Sequence, residues 1–253
     1  MTRESQGASQ IKGAVHTATR HDSAVNHVSG RSVFIDDMPE LAGTLHAALV
    51  KSPHAHAAIT AMDTEGVMSL EGVHAVLTAD QIPGRNDVAP IFENEPILAV
   101  DEVQYAGHPV ALVVADTMDR ARAAAVQVLV TYEPLPAVLS IEEALEGQHF
   151  TSGIQVMNRG DAEQAIRNAK HRITGSVSCG GQDHFYLEGH IALAVPQEDR
   201  DMLVYSSTQH PTEVQHGVAT VLGVPVNAVT TETRRMGGGF GGKESQATII
   251  AAL

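Results

Sequence analysis

The apolar and polar positions in the first half of the chain follow the patterns of short strands and one helix. The run GTLHAALVKSPHAHAAI, from Gly43 to Ile59, alternates apolar and polar residues and predicts two strands joined by a turn. Val110 to Ala115 is wholly apolar, as in a buried strand, and Thr117 then begins a capped, alanine-rich helix. We therefore predict a mixed α+β domain over residues 26–136, after a flexible tail over residues 1–25.

The second half predicts a linker and then a further domain. Residues 137–160 form the linker, with a short helix capped by Ser140. Residues 161–253 begin with a helix capped by Asp161, followed by a strand-rich stretch, a helix capped by Thr212, and a glycine run. The chain ends inside an apolar helical run, and we interpret residues 161–253 as the N-terminal portion of an incomplete domain of a longer protein.

Composition narrows the classes of partner. The chain has 16 basic and 30 acidic residues and a formal net charge of -14, which disfavours nucleic acid and anionic membranes as partners. It has one cysteine, too few for an intrachain disulfide or a four-thiolate cluster. With no apolar run that would span a bilayer and no secretory signal, we expect a soluble cytoplasmic protein.

Isolated histidine and cysteine residues carry weaker signals. His54 and His56 lie close together, but without acidic or cysteine partners at ligand spacing they favour a loop or strand end over a metal site. For Cys179 we expect a small buried thiol rather than a nucleophile.

The segment RRMGGGFGGKES, from Arg234 to Ser245, carries the main chemical signal. Five glycines fill six positions, which indicates positive φ angles or the close approach of a ligand to the main chain. Backbone N–H groups ahead of a helix N-terminus favour an anion.

Three interpretations of this glycine run compete. The phosphate-loop pattern G-x-x-x-x-G-K is present, but Glu244 stands where a magnesium-binding Ser or Thr is needed. The dinucleotide pattern G-x-G-x-x-G requires an acidic residue roughly 20 positions later, beyond Leu253. The third interpretation is a tight turn between a strand and a helix with no ligand.

Three blocks, in order, resemble a known family. GGQDHFYLEG (Gly180–Gly189), STQHPTEVQ (Ser207–Gln215) and RRMGGGFGGKESQ (Arg234–Gln246) resemble the molybdenum-cofactor subunit of bacterial xanthine dehydrogenases, in the xanthine dehydrogenase/aldehyde oxidase family. GTLHAALVKSPHAHA and YEPLPAVLSIEEAL are similar to that family's α/β hammerhead domain. The implied fold is an α+β arrangement, with the hammerhead domain followed by the start of a mixed α/β molybdopterin-binding domain.

The resemblance also implies roles for individual residues. The Gln182 amide would donate to an oxo group on molybdenum, and the backbone N–H of Phe240 would point at another metal ligand. Gly238 and Gly239 would lie against the cofactor. Glu244 would bind a purine substrate and stabilise charge on its ring, whereas related aldehyde oxidases tend to be apolar at this position.

The implied activity is oxidation of hypoxanthine or xanthine with water as the oxygen donor. The cofactor would be molybdenum-molybdopterin, with 2Fe-2S clusters and FAD on partner subunits of a hetero-oligomer. Two alternatives stay open: a related hydroxylase of aldehydes or N-heterocycles, and an inactive truncated remnant. We expect this chain alone to be inactive. The resemblance places the general base and much of the cofactor cage in the family's C-terminal part, which these residues do not include.

Overall fold

The computed structural model describes residues 17–89 and 95–253. Its α-helices are α1 Ala24–Val28, α2 Glu65–Met68, α3 Met118–Ala125, α4 Ile141–Glu146, α5 Ala162–Asn168, α6 Pro211–Leu222 and α7 Ser245–Ala252. Its strands are β1 His46–Lys51, β2 Ala57–Asp63, β3 Val73–Leu77, β4 Glu102–Val103, β5 Pro109–Ala115, β6 Leu129–Pro134, β7 Ala192–Pro196, β8 Met202–Ser206 and β9 Val229–Glu232.

The first unit contains two three-stranded sheets, with strand orders β1-β5-β3 and β4-β2-β6. Strand β5 is central and antiparallel to both of its neighbours, and its side chains are buried almost throughout. Its uninterrupted apolar sequence suits this position, because a central strand covered on both faces has no solvent side. The sequence predicted this buried strand.

Helix α3 packs on the β1-β5-β3 sheet through Ala121, Ala124 and Ala125. Small side chains on that face let the helix approach the sheet closely. Its N-terminus is capped as predicted, because the Thr117 hydroxyl accepts from the Arg120 N–H at 3.3 Å.

The second unit is built on a three-stranded sheet with the order β7-β8-β9. Strands β7 and β8 form an antiparallel hairpin, whereas β8 and β9 run parallel and are connected through helix α6. Helix α6 ends at Gly223, which has a left-handed φ of 62°. The predicted cap Thr212 is wrong: His210 caps the helix, and its Nδ1 accepts from the Glu213 N–H at 3.3 Å.

The prediction of a strand-rich stretch is wrong for its first half. No strand lies between α5 and β7, a stretch wholly within the described residues. Ile173 and Val177 are almost fully exposed there, so no neighbouring strand pairs with this apolar sequence. Cys179, expected to be buried, is exposed in the same stretch.

The two units meet where the loop after β3 contacts the C-terminal end of α6. Gly84 N–H donates to the Val221 carbonyl at 2.8 Å, and Arg85 N–H donates to the Thr220 carbonyl at 3.0 Å. A separate apolar cluster covers this contact, composed of Val88, Ile97, Leu98 and Val221. This junction joins the first unit to helix α6, which packs against α7 and β9.

The N-terminal segment also reaches the second unit. The predicted tail falls partly outside the described residues, since residues 1–16 are not among them. Ser23 is only 2% exposed, and its hydroxyl accepts from the Arg235 guanidinium at 3.4 Å.

Among residues 17–89 and 95–253, no helix has both the length and the apolar character needed to cross a membrane.

Candidate functional site

The glycine run forms a tight loop, Gly237–Gly242, between β9 and α7. Gly238 and Gly241 have φ angles of 101° and 91°, which glycine adopts without steric cost. Phe240 is a non-glycine residue at a positive φ of 51°, and its ring is 75% exposed. A left-handed backbone at a non-glycine residue is uncommon and makes Phe240 a candidate functional position.

The loop contains consecutive backbone donors without acceptors. Within the part of the chain that the structure describes, the N–H groups of Gly238, Gly239 and Phe240 donate to no protein atom. The groups on either side are satisfied: Gly237 N–H donates to Glu188 at 2.6 Å and Gly242 N–H to the Gly239 carbonyl at 2.7 Å. Successive free N–H groups in such a loop form a concave site for an anion.

Two side chains hold the loop. One is Glu188, from the 180–189 block, and the other is Ser207, which follows strand β8. The Lys243 side chain is 0% exposed; its Nζ donates to the Glu188 carbonyl at 2.6 Å and to Ser207 Oγ at 2.7 Å. Glu188 Oε2 lies 3.5 Å from Nζ and accepts from Ser207 Oγ at 2.7 Å. Burial lowers the pKa of the Lys243 ammonium, and the Glu188 carboxylate opposes that shift.

Gln209 supports the opposite side of the loop. Its side-chain Oε1 accepts from Gly241 N–H at 2.9 Å and from Lys243 N–H at 3.3 Å. The main-chain N–H of Gln209 donates to the Lys243 carbonyl at 2.7 Å. A Cβ on Gly239 would lie 2.4 Å from Gln209 Oε1. Glycine at this position therefore lets the loop approach Gln209 closely.

Aromatic residues of the 180–189 block pack beneath the loop. A Cβ on Gly242 would lie 2.8 Å from Tyr186 Cε1 and 2.9 Å from His184 Cγ. The Lys243 Nζ lies 4.8 Å from the Tyr186 ring centroid, a cation–π contact. The Tyr186 hydroxyl hydrogen-bonds His190, whose pKa is lowered first by burial and then by the charge of Lys243.

Two family models match the two units. Residues 29–136 match the aldehyde oxidase and xanthine dehydrogenase a/b hammerhead domain, and residues 144–253 match the molybdopterin cofactor-binding domain. Xanthine dehydrogenase of Drosophila pseudoobscura pseudoobscura is 41% identical over 91% of this chain and 17% of its own length. Aldehyde oxidase 2 of Cavia porcellus is 40% identical over 92% of this chain and 17% of its own length.

The chain belongs to the xanthine dehydrogenase/aldehyde oxidase family. Among solved structures, quinoline 2-oxidoreductase from Pseudomonas putida 86 superposes with a TM-score of 0.76 at 28% identity, covering 91% of this chain and 32% of that one. The predicted fold class, a hammerhead domain followed by a molybdopterin-binding domain, is confirmed. This family member spans 17% of the length of the curated relatives cited above.

Within this family member, the residues expected to contact the cofactor lie on two neighbouring segments. Gln182 lies two positions before His184, and His184 packs against the loop. The Gln182 side chain is exposed. Its Nε2 donates to the Gly181 carbonyl at 3.1 Å, and no hydrogen bond joins it to Phe240 in the described residues. The structure thus brings the Gln182 segment against the loop without joining the two residues.

Glu244 lies at the first position after the loop lysine and precedes α7. It is exposed, and its carboxylate makes no hydrogen bond or ion pair with any residue that the structure describes. A free carboxylate here is available to a ligand, while its main-chain carbonyl accepts from Ala247 N–H at 3.2 Å.

Free N–H groups at Gly238, Gly239 and Phe240 fit an anionic molybdopterin group, as does the exposed Gln182 amide. No cluster of three or more His, Cys, Asp or Glu side chains that would hold a metal ion occurs in residues 17–89 and 95–253. His56 instead pairs with Glu102 at 2.8 Å.

Sequence reasoning missed the residues that hold the loop. The blocks that contain Glu188 and Ser207 were identified by their family resemblance, but neither residue was connected to Lys243. Glu188 and Lys243 lie in separate polar, glycine-containing blocks, and nothing in the local sequence indicates that they pair. Only the folded chain shows that the two meet.

Proposed function

We propose that this chain contributes part of the cofactor cradle of a molybdenum hydroxylase that oxidises hypoxanthine or xanthine. The observation that carries the proposal is the run of free N–H groups at Gly238, Gly239 and Phe240, followed in the chain by the unpaired carboxylate of Glu244. Family membership supports molybdopterin as the anion.

The residues have distinct proposed roles in this cradle. The N–H groups of Gly238, Gly239 and Phe240 would hold the anionic cofactor, and the Gln182 amide would be a further donor to it. Glu244 binds the purine ring and stabilises charge that develops on it. When bound, the molybdenum cofactor supplies a two-electron oxidation with water as the source of oxygen.

We propose that the electrons leave through redox centres outside the residues of this chain. This chain has one cysteine, whereas each 2Fe-2S cluster needs four thiolate ligands in its usual form. We therefore propose partner subunits that carry 2Fe-2S clusters and FAD in a cytoplasmic hetero-oligomer. The acidic composition supports assembly without nucleic acid or membrane.

Metal and pterin analysis of the protein purified from its own source tests the cradle. We expect molybdenum and molybdopterin to co-purify with the chain when its partner subunits are present. Protein that is folded and fully assembled but contains neither would contradict the proposal and favour an inactive remnant.

A substrate panel tests the purine assignment. We expect Glu244→Val to lower kcat/KM for xanthine by about a hundredfold or more, because the lost group stabilises charge in the transition state. Glu198→Val is the matched control, since Glu198 is an exposed glutamate in the β7–β8 turn. Equal purine turnover in Glu244→Val and Glu198→Val would refute the role of Glu244.

The second candidate is hydroxylation of aldehydes or N-heterocycles. It is favoured by the similarity to an aldehyde oxidase at 40% identity and to quinoline 2-oxidoreductase at 28% identity. The same panel separates the candidates. Preference for an aldehyde or quinoline over xanthine in the unaltered protein would support the second one.

A further inference from the structure

Lys243 occupies the position of a phosphate-binding lysine but faces the protein interior. Its side chain is 0% exposed, and its three ammonium protons are matched by three acceptor atoms. These are the Glu188 carbonyl at 2.6 Å, Ser207 Oγ at 2.7 Å and Glu188 Oε2 at 3.5 Å. The charge of Lys243 is therefore directed toward Glu188 and Ser207 rather than toward a ligand.

The Glu188 carboxylate joins the two ends of the glycine loop. Its Oε2 accepts from Gly237 N–H at 2.6 Å, at the first loop residue, and lies next to Lys243, which follows the last one. Ser207 Oγ donates to the same oxygen at 2.7 Å. Glu188, Ser207 and Lys243 form a connected group, here called the loop clip, that spans both ends of the loop.

We propose that the loop clip is a positioning device, which sets the free N–H groups of Gly238, Gly239 and Phe240 before the cofactor arrives. This inference rests on the proposed molybdopterin site. The physical reason is preorganisation: a glycine-rich loop has high conformational entropy when free, and fixing both ends in advance reduces the entropy lost on binding.

Two neighbouring buried serines provide a matched test. Ser206 and Ser207 are each 1% exposed, but Ser207 belongs to the clip, whereas Ser206 Oγ has no hydrogen-bond partner in the described structure. Apoprotein variants Ser207→Ala and Ser206→Ala, in the assembled protein, are titrated with molybdopterin. We expect Ser207→Ala to weaken binding about tenfold, as outer contacts to such sites do, and Ser206→Ala to leave it unchanged.

Two further measurements separate positioning from a general loss of structure. In Ser207→Ala, amide hydrogen exchange should accelerate at Gly237 and Gly241 but not in helix α6. After loading with the molybdenum-molybdopterin cofactor and partial reduction to Mo(V), the shape of the electron paramagnetic resonance spectrum should also change, whereas a purely structural defect would only reduce its amplitude. Glu188→Gln, which keeps an acceptor for Gly237 but removes the charge, serves as the second variant if Ser207→Ala fails to fold.

The outcomes distinguish this inference from the function on which it rests. If the unaltered protein does not bind molybdopterin, the proposed function fails and the inference fails with it. If the unaltered protein binds molybdopterin and Ser207→Ala binds it equally well with the same spectrum, only the loop clip is refuted.

Discussion

The Lys243 Nζ atom lies 2.6 Å from the main-chain carbonyl oxygen of Glu188, which is 55 positions earlier in the chain. This contact changes the interpretation of the G-K pair at the end of the loop. A phosphate-binding lysine must reach the ligand, but this lysine is buried and its charge is balanced by a carboxylate. The proposed anion site therefore depends on main-chain N–H groups, whereas the lysine supports the loop from inside.

Replacing Lys243 by methionine tests the stability of this pair. We expect Lys243→Met to lower the free energy of unfolding by about 3–5 kcal/mol, because removing one partner leaves the buried Glu188 carboxylate without its counter-charge. Urea denaturation followed by circular dichroism measures the change.

The control is the double variant Lys243→Met, Glu188→Gln. It removes both charges and should recover part of the lost stability, because no unpaired charge remains buried. Equal loss in the single and double variants would show that packing, rather than charge pairing, determines the effect.

Gly84 tests the contact between the two units. A Cβ on Gly84 would lie 2.1 Å from the Thr220 carbonyl oxygen and 2.6 Å from the Gly223 nitrogen, both in the backbone. We expect Gly84→Ala to destabilise the protein by about 1–3 kcal/mol, as overpacking does. Thermal unfolding measures it.

Gly66 in helix α2 is the matched control for Gly84. A Cβ there would contact nothing within 4 Å, and the residue has ordinary helical geometry. Gly66→Ala should stabilise the protein by about 0.4–1 kcal/mol, because alanine restricts the unfolded chain. Similar losses in both variants would contradict the view that the backbone contact at Gly84 is the cause.

His108 predicts a pH dependence of stability. Burial lowers its pKa below 6.5, with a hydrogen bond to Pro96 opposing the shift. As the pH falls below 6.5, the unfolded chain takes up the proton before the folded one, so stability falls until the pH passes the folded pKa. We expect His108→Gln to reduce the slope of stability between about pH 7 and pH 5.

Thermal unfolding at several pH values checks the His108 prediction. Burial also lowers the pKa of His190, so this residue keeps a slope of the same sign in the variant. The pKa of His56 is raised, chiefly by a hydrogen bond with Pro136, and its contribution has the opposite sign: it is present below pH 6.5 and is lost as the pH rises. An unchanged slope in His108→Gln would show that the His108 side chain is not the source.

The sequence was informative where the local pattern determines the structure. The apolar run of β5 must lie in a sheet interior, Thr117 has a side-chain oxygen to cap α3, and Gly223 tolerates the left-handed end of α6. The glycine loop was likewise located from its composition, since successive glycines permit the positive φ angles found at Gly238 and Gly241.

The sequence was uninformative where the structure depends on distant partners. Ile173 and Val177 have strand-like spacing, but no strand in the described residues pairs with them. The contact of Lys243 with Glu188 joins separate blocks, so no local period encodes it. At the start of α6, the imidazole of His210 fulfils the capping role that the nearby Thr212 hydroxyl was expected to play.

Arg234 and Arg235 make neighbouring but unequal contacts with the N-terminal segment. Arg234 forms an exposed ion pair with Asp22 at 2.8 Å, whereas Arg235 donates to the Val33 carbonyl at 3.2 Å and to the buried Ser23 hydroxyl at 3.4 Å. Exposed ion pairs contribute little to stability because water and salt screen them. The Ser23 hydroxyl that Arg235 contacts is partly buried, so the loss of Arg235 leaves this hydroxyl without its partner.

We therefore expect Arg235→Gln to accelerate amide hydrogen exchange across residues 23–38, and Arg234→Gln to leave it nearly unchanged. Exchange in strand β5, which is remote from both arginines, serves as the internal reference. Acceleration of equal size in the two variants would mean that the exposed pair with Asp22 holds the segment as firmly as the Arg235 contacts do. Because Arg235 immediately precedes Met236 and the glycine loop, anchoring through Arg235 would also connect the N-terminal segment to the base of the cofactor cradle.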